Sequence, residues 1–251
     1  MVHYTPHLCT TSLTCSRRLE SPEGLDRKFT LNYYSRMRFI SNLLPLLRTA
    51  TVEAPHFSRT LSVLGAGHEQ KINFEDLELK NTFSGPKCAA HTTVMNDFMT
   101  EEFAKREPGT SFIHSSPGVV NTGIARELPT LVRLPLKMLM PLFTPLTVSA
   151  EETGARHLFT ATSSLYPPQK PNGEDPLAKG VPAPSGLKAF KGADGKEGSG
   201  GYIVNWNNEI TGKQALLKEY HEKGVGQIVW EHTIGIFDRV EKINKERANF
   251  K

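Results

Sequence analysis

Residues 110–124 read TSFIHSSPGVVNTGI, and this stretch decides the fold. Phe112, Ile113 and His114 form a short apolar run that reads as a buried strand, and Pro117-Gly118 breaks it sharply. Val119-Val120-Asn121-Thr122 follows, so two apolar residues lead to a hydroxyl just past the strand's carboxyl end. In open α/β sheets ligands sit in that crevice. An ordinary strand-to-loop exit has the same composition, so the rest of the chain must supply the context.

The chain has 251 residues, 38% hydrophobic and 22% charged, which is globular composition for one large domain or two small ones. Thirty Lys and Arg against 26 Asp and Glu give a formal charge of +4, too mild and too scattered to indicate nucleic acid. Cys9, Cys15 and Cys88 have neither disulfide-framework nor zinc-site spacing, which fits a reducing compartment. No charged segment followed by an apolar core opens the chain, and no uninterrupted apolar run reaches membrane-spanning length. A cytoplasmic protein without a membrane span is expected.

Residues 1–24, rich in Thr, Ser and Pro, are expected to be poorly ordered, with one domain over 25–251. Phe29, Tyr33, Met37, Ile40, Leu44 and Leu47 recur at helical spacing, predicting a helix buried on one face that ends near Pro45 to Arg48. Asn32 lies beside that stripe, and a solvated asparagine is the plain reading of it. Leu61 to Leu64 reads as a strand closed by Gly65-Ala66-Gly67. These glycines are not a dinucleotide fingerprint, because the third glycine and the following helix are both missing.

Pro86 opens a second helix carrying Cys88, Met95, Phe98, Met99 and Phe103 along one side until Glu107-Pro108-Gly109. After the opening stretch, residues 131–148 are strongly apolar but cut by Pro135, Pro141 and Pro145. Core packing, substrate cover and shallow membrane contact all suit such a segment. Ser149 and Glu152 have capping-box spacing for a helix to about Ser163, and residues 167–200 read as a long mobile loop. A last strand over 200–206 and terminal helical structure over 213–245 complete the order. Strands and helices alternating in this way are the second half of a doubly wound α/β sheet.

Three stretches, LNYYSRMRFI at 31–40, SFIHSSPGVVNT at 111–122 and HLFTATSSLYPP at 157–168, resemble the divergent short-chain dehydrogenases/reductases of fungal secondary-metabolite pathways. The resemblance implies an incomplete Rossmann-like fold and NADP or NAD as cofactor. It implies that Asn32 holds a water in a proton relay and that Lys87 bonds the nicotinamide ribose. Pro117, Gly118, Val120 and Thr122 would receive the nicotinamide. It places Phe83 where the family has a tyrosine, four residues before Lys87, and Gly65-Ala66-Gly67 where the family has a serine. Helices 26–47 and 86–105 would form a homodimer interface, and the apolar segment 131–148 would cover a hydrophobic small-molecule substrate.

Nothing before Leu25 offers the family's glycine-rich turn, and 24 residues are too few for three strands and their crossovers. The cofactor-binding N-terminal half is therefore expected to be absent from this polypeptide. Two function classes follow: an oxidoreductase acting on a hydrophobic carbonyl or alcohol, or a catalytically inactive homologue serving as a binding or scaffold protein.

Overall fold

The computed structural model describes residues 17–53, 58–120, 147–170, 180–184 and 186–249. Its centre is an open sheet of three parallel strands in the order β1 (Arg59–Val63), β2 (Ser111–Ser115), β3 (Gly201–Val204). Helices flank it on both faces, as in an incomplete Rossmann-like fold. Period-two alternation sorts the strands' side chains. Phe112, His114 and Ile203 point to one face, and Ile113, Tyr202 and Val204 point to the other, where Leu165 and Tyr166 pack on them.

The first face carries most of the helices. The N-terminal one begins as α1 (Arg27–Phe29), passes through a π-helical turn (Thr30–Tyr34) and continues as α2 (Ser35–Glu53). One extra residue in the π turn lets consecutive Tyr33 and Tyr34 both point inward, where their hydroxyls meet Thr233 Oγ1 at 2.5 Å and His232 Nε2 at 2.9 Å. The helix does not end within Pro45 to Arg48 as expected but runs on to Glu53. Pro45 lies on the exposed side, so water can meet the carbonyl that loses its partner.

Helix α3 (Gly85–Arg106) lies across β2 and β3, capped by Ser84, whose Oγ accepts from Lys87 N at 3.3 Å. Every residue from Ala90 to Ala104 is buried, because α6 (Val225–Asn249) packs along α3 with Val229, Ile236 and Phe237 in the common core. Helix α5 (Gln214–Glu222) leads into α6. Of the two helices expected at a dimer interface, α3 is thus covered by its own chain. Helix α2 keeps an apolar outer stripe, with Phe39 70% and Leu46 67% exposed.

On the second face stands α4 (Ala150–Thr162), capped by Ser149, whose Oγ accepts from Glu152 N at 3.1 Å. Arg59, at the start of β1, donates to the carbonyls of Thr160, Ser163 and Tyr166, fixing the carboxyl end of α4 to the sheet. Two expectations of disorder meet ordered structure in the described residues. Residues 17–24 form a turn held by Arg18, which donates to the carbonyls of Gly24 and Glu78. Within 167–200, Phe190 N donates to Leu165 O and Lys191 bridges Glu197. Residues 1–16, 171–179 and 185 lie outside the described residues.

Candidate functional site

A cavity of about 610 Å³ opens beyond the carboxyl ends of β1 and β2. Val63 closes it from β1, the Pro117-Gly118-Val119-Val120 stretch forms one wall, and Ala150, Thr153 and His157 of α4 face that wall. Three of the residues expected to hold a nicotinamide, Pro117, Gly118 and Val120, therefore line one space. Thr122 and the apolar segment through residue 146 lie outside the described residues.

Local chemistry shapes this wall. Gly118 has φ +74°, and a Cβ built on it would stand 2.8 Å from Trp206 Cβ, so both backbone and space require glycine. Trp206 is held in turn by Arg156, whose guanidinium lies 4.5 Å from its ring centroid and donates to its carbonyl. Val148 N donates to Val119 O at 2.9 Å, tying the far end of the turn to the approach to α4.

Helix α4 contributes the polar side. His157 Nδ1 lies 2.7 Å from Thr153 O, and its Nε2 lies 3.3 Å from the hydroxyl of buried Ser115 on β2. A carbonyl can only accept, so Nδ1 carries a proton, and Nε2 is left facing the Ser115 hydroxyl. Thr153 Oγ1 is buried without a hydrogen-bond partner.

Asn32, Phe83 and Lys87 stand outside the described lining of the cavity. Asn32 sits in the π turn, and its carbonyl accepts from Asn96 Nδ2 at 3.1 Å. Asn96 Oδ1 lies 3.4 Å from Ser62 Oγ, and Arg36 donates to Val63 O at 2.7 Å, so Asn32 is linked to the end of β1. Phe83 packs partly buried against the main core. Lys87 is exposed on the first turn of α3. At Gly65 a Cβ would stand 3.1 Å from Thr93 Oγ1, so a side chain there needs Thr93 to give way.

Beneath this end of the sheet lies a fully buried polar pair that sequence reasoning missed. Asp97 Oδ1 of α3 and His114 Nδ1 of β2 are 2.5 Å apart, while Gly65 N donates to His114 Nε2. Burial pushes His114 down to about 3. Burial, with Glu69 and Glu101 nearby, pushes Asp97 well above the usual carboxylate range. Burial thus biases both partners towards their neutral forms. Sequence spacing gave no sign of it, nor of Thr153 and His157, although His157 opens one of the quoted stretches.

No family model matches the chain. An oxidoreductase of Emericella nidulans is 40% identical over 224 residues, which are 88% of this chain and 64% of that protein. The NmrA-like family domain-containing oxidoreductase notO of an Aspergillus species is 32% identical over 91% of this chain and 62% of its own. The short-chain dehydrogenase/reductase SAT2 of Stachybotrys chartarum is 28% identical over 88% of this chain and 61% of its own. The chain thus spans 61 to 64% of the length of these relatives. With its parallel open sheet and its P-G-x-V wall, the chain is a homologue of these fungal oxidoreductases, of a divergent short-chain dehydrogenase/reductase-like type.

Proposed function

We propose that this chain carries the nicotinamide-facing and substrate-facing part of an oxidoreductase that uses NADP or NAD on a hydrophobic carbonyl or alcohol intermediate, in secondary-metabolite biosynthesis. The observation that carries the reading is the cavity walled by Pro117, Gly118 and Val120. Apolar walls and a backbone turn at the carboxyl end of a parallel strand suit a flat, neutral nicotinamide carboxamide. When bound, the dinucleotide supplies or accepts hydride. Thr122 belongs to the same proposal, as do a cytoplasmic location and a homodimer whose contact uses the outer stripe of α2.

The chain's own residues fit the nicotinamide end better than the phosphate end. After β1 the chain passes through Gly65-Ala66-Gly67 into a single 3₁₀ turn at Phe74–Asp76, so no helix N-terminus follows those glycines to hold a pyrophosphate. In the proposed arrangement Lys87 reaches the ribose from its exposed turn. Asn32, its carbonyl fixed by Asn96, orients a water. Phe83 has no proton to give, which favours a second reading, a non-catalytic binding or scaffold protein on the same cavity.

Titration with reduced nicotinamide mononucleotide, followed by its own fluorescence, tests the proposal. Saturable binding that Val120→Trp abolishes by filling the cavity is expected. Binding that survives Val120→Trp, or no binding to the wild type at millimolar ligand, overturns it.

A further inference from the structure

One buried side chain ties together the loops that leave β1 and β3. Glu69 follows the Gly65-Ala66-Gly67 turn and is fully shielded from water. Its Oε1 accepts from Gly67 N at 2.8 Å, and its Oε2 accepts from Lys213 N at 2.9 Å, at the residue that opens α5. Gly67 packs so tightly on the β3 exit that a Cβ on it would stand 2.7 Å from Thr211 Oγ1. Both loops continue from the frame of the cavity. Val63 lies four residues before Gly67, and Trp206, which packs on Gly118, lies five before Thr211.

Behind Glu69 stands Asp97 of α3, also fully buried, its carboxyl within hydrogen-bonding reach of Glu69's. Gly65 N donates to His114 Nε2, so the imidazole proton lies on Nδ1 and serves Asp97 Oδ1 at 2.5 Å. Asp97 Oδ2 has no donor. The charged groups that bear on Asp97 are acids, Glu69 from the turn and Glu101 one turn along α3. The neighbouring bases serve others: His221 lies 2.8 Å from Glu101, and Arg36 of α2, which bears on His114, donates to Ser62 Oγ and Val63 O. Two carboxyls facing each other out of water, with no cation to answer them, stay together through a proton. Both Glu69 oxygens already accept from backbone amides, so Asp97 is the partner that carries it.

We propose that this proton works a pH-sensitive clasp: while Asp97 holds it, Glu69 grips Gly67 and Lys213, and when it is lost the two carboxylates part and the exits of β1 and β3 loosen together. The closed clasp binds one proton more than the open one, so it weakens as pH rises. It acts on the frame of the cavity whatever the cavity binds.

Amide hydrogen exchange of the full chain, followed residue by residue from pH 7 to 9, tests the clasp. Protection of Gly67 and Lys213, corrected for the intrinsic exchange rate, is expected to fall about tenfold per pH unit, the linkage of one proton to one opening. In Asp97→Asn it should be flat, since the asparagine NH₂ donates to Glu69 at any pH and its oxygen still accepts from His114. Flat protection in the wild type overturns the inference, and this measurement stands should the variant fail to fold. So does protection of both amides equal to that of the slowest β2 amides, which would mean that they open only with the whole protein. A slope that persists in Asp97→Asn assigns the proton to another group and overturns it as well.

Discussion

Gly118 lies so close under Trp206 that a Cβ on the glycine would meet the tryptophan Cβ at 2.8 Å. This contact joins the P-G-x-V wall to β3's exit loop and, through Arg156, to α4. Gly118→Ala should therefore destabilise the protein by about 1–3 kcal/mol through backbone strain alone, and by more once Trp206 is displaced. Gly24 is the control, with φ +75° and open space where its Cβ would stand. Denaturant unfolding should show Gly24→Ala costing clearly less, and equal costs would mean that the Trp206 contact carries no weight.

The Asp97–His114 pair gives opposite pH dependences on its two sides. Asp97 holds its proton in the folded state and releases it near pH 4 when unfolded, so its contribution to stability falls as pH rises above that value. His114 stays neutral in the folded state down to about 3, whereas the unfolded ring protonates near 6.5, so its contribution is lost as pH falls below 6.5. Above about 6.5 the His114 contribution is constant, and Asp97 alone gives the pair a slope, at most about 1.4 kcal/mol per pH unit, until its raised folded value is passed. Asp97→Asn keeps an acceptor for His114 and removes that proton, so unfolding measured from pH 7 to 9 should be flatter in the variant. Identical slopes would show that Asp97 is ionised in the folded protein.

The outer face of α2 makes the assembly testable. Phe39, Leu43 and Leu46 lie at helical spacing on one exposed side. Light scattering at high protein concentration should show a dimer that Phe39→Asp converts to a monomer. A strict monomer for the wild type would remove this interface.

Under the proposed oxidoreductase reading, Phe83 limits the chemistry. Reduction needs a proton on oxygen as well as hydride on carbon, and neither Phe83 nor Gly65 offers a hydrogen-bond donor from its side chain. Losing one such donor costs about 10²- to 10³-fold, so losing two leaves little turnover. Phe83→Tyr alone should not restore measurable reduction of hydrophobic ketones with NADPH or NADH, because Gly65 still offers no side-chain donor to the oxygen. Wild-type turnover near one per second would show that another group supplies the proton, and the roles of Lys87 and Asn32 would need rebuilding.

Periodicity made much of this architecture legible. The stripe from Phe29 to Met37 is buried as its spacing implies, Ser149 caps α4 as its capping box implies, and Pro117-Gly118 ends a fully buried strand. What stayed hidden depends on long-range neighbours. Pro45 reads as a stop, yet its exposed side tolerates a missing bond. The stripe on α3 shows an apolar side but not that α6 would cover the rest, since nothing in a sequence of amphipathic helices fixes which one lies on which. His114 and Asp97 are ordinary polar residues until strand and helix bring them 2.5 Å apart in a place without water. His157 likewise gains its partner only when β2 sets the Ser115 hydroxyl 3.3 Å from its Nε2.

The account's central claim is that the P-G-x-V wall is the nicotinamide end of an oxidoreductase site. Amide chemical-shift mapping of the isotope-labelled chain, titrated with reduced nicotinamide mononucleotide, tests it most directly. The largest shifts should fall at Gly118, Val119 and Val120, with smaller ones at Thr153 and His157. Replacing the mononucleotide by NADPH should tighten binding by no more than about tenfold, about 1.4 kcal/mol, because the turn after β1 leads to no helix that would hold the pyrophosphate. Shifts confined to other regions, or micromolar NADPH binding that leaves Gly118 and Val120 unmoved, would contradict the claim.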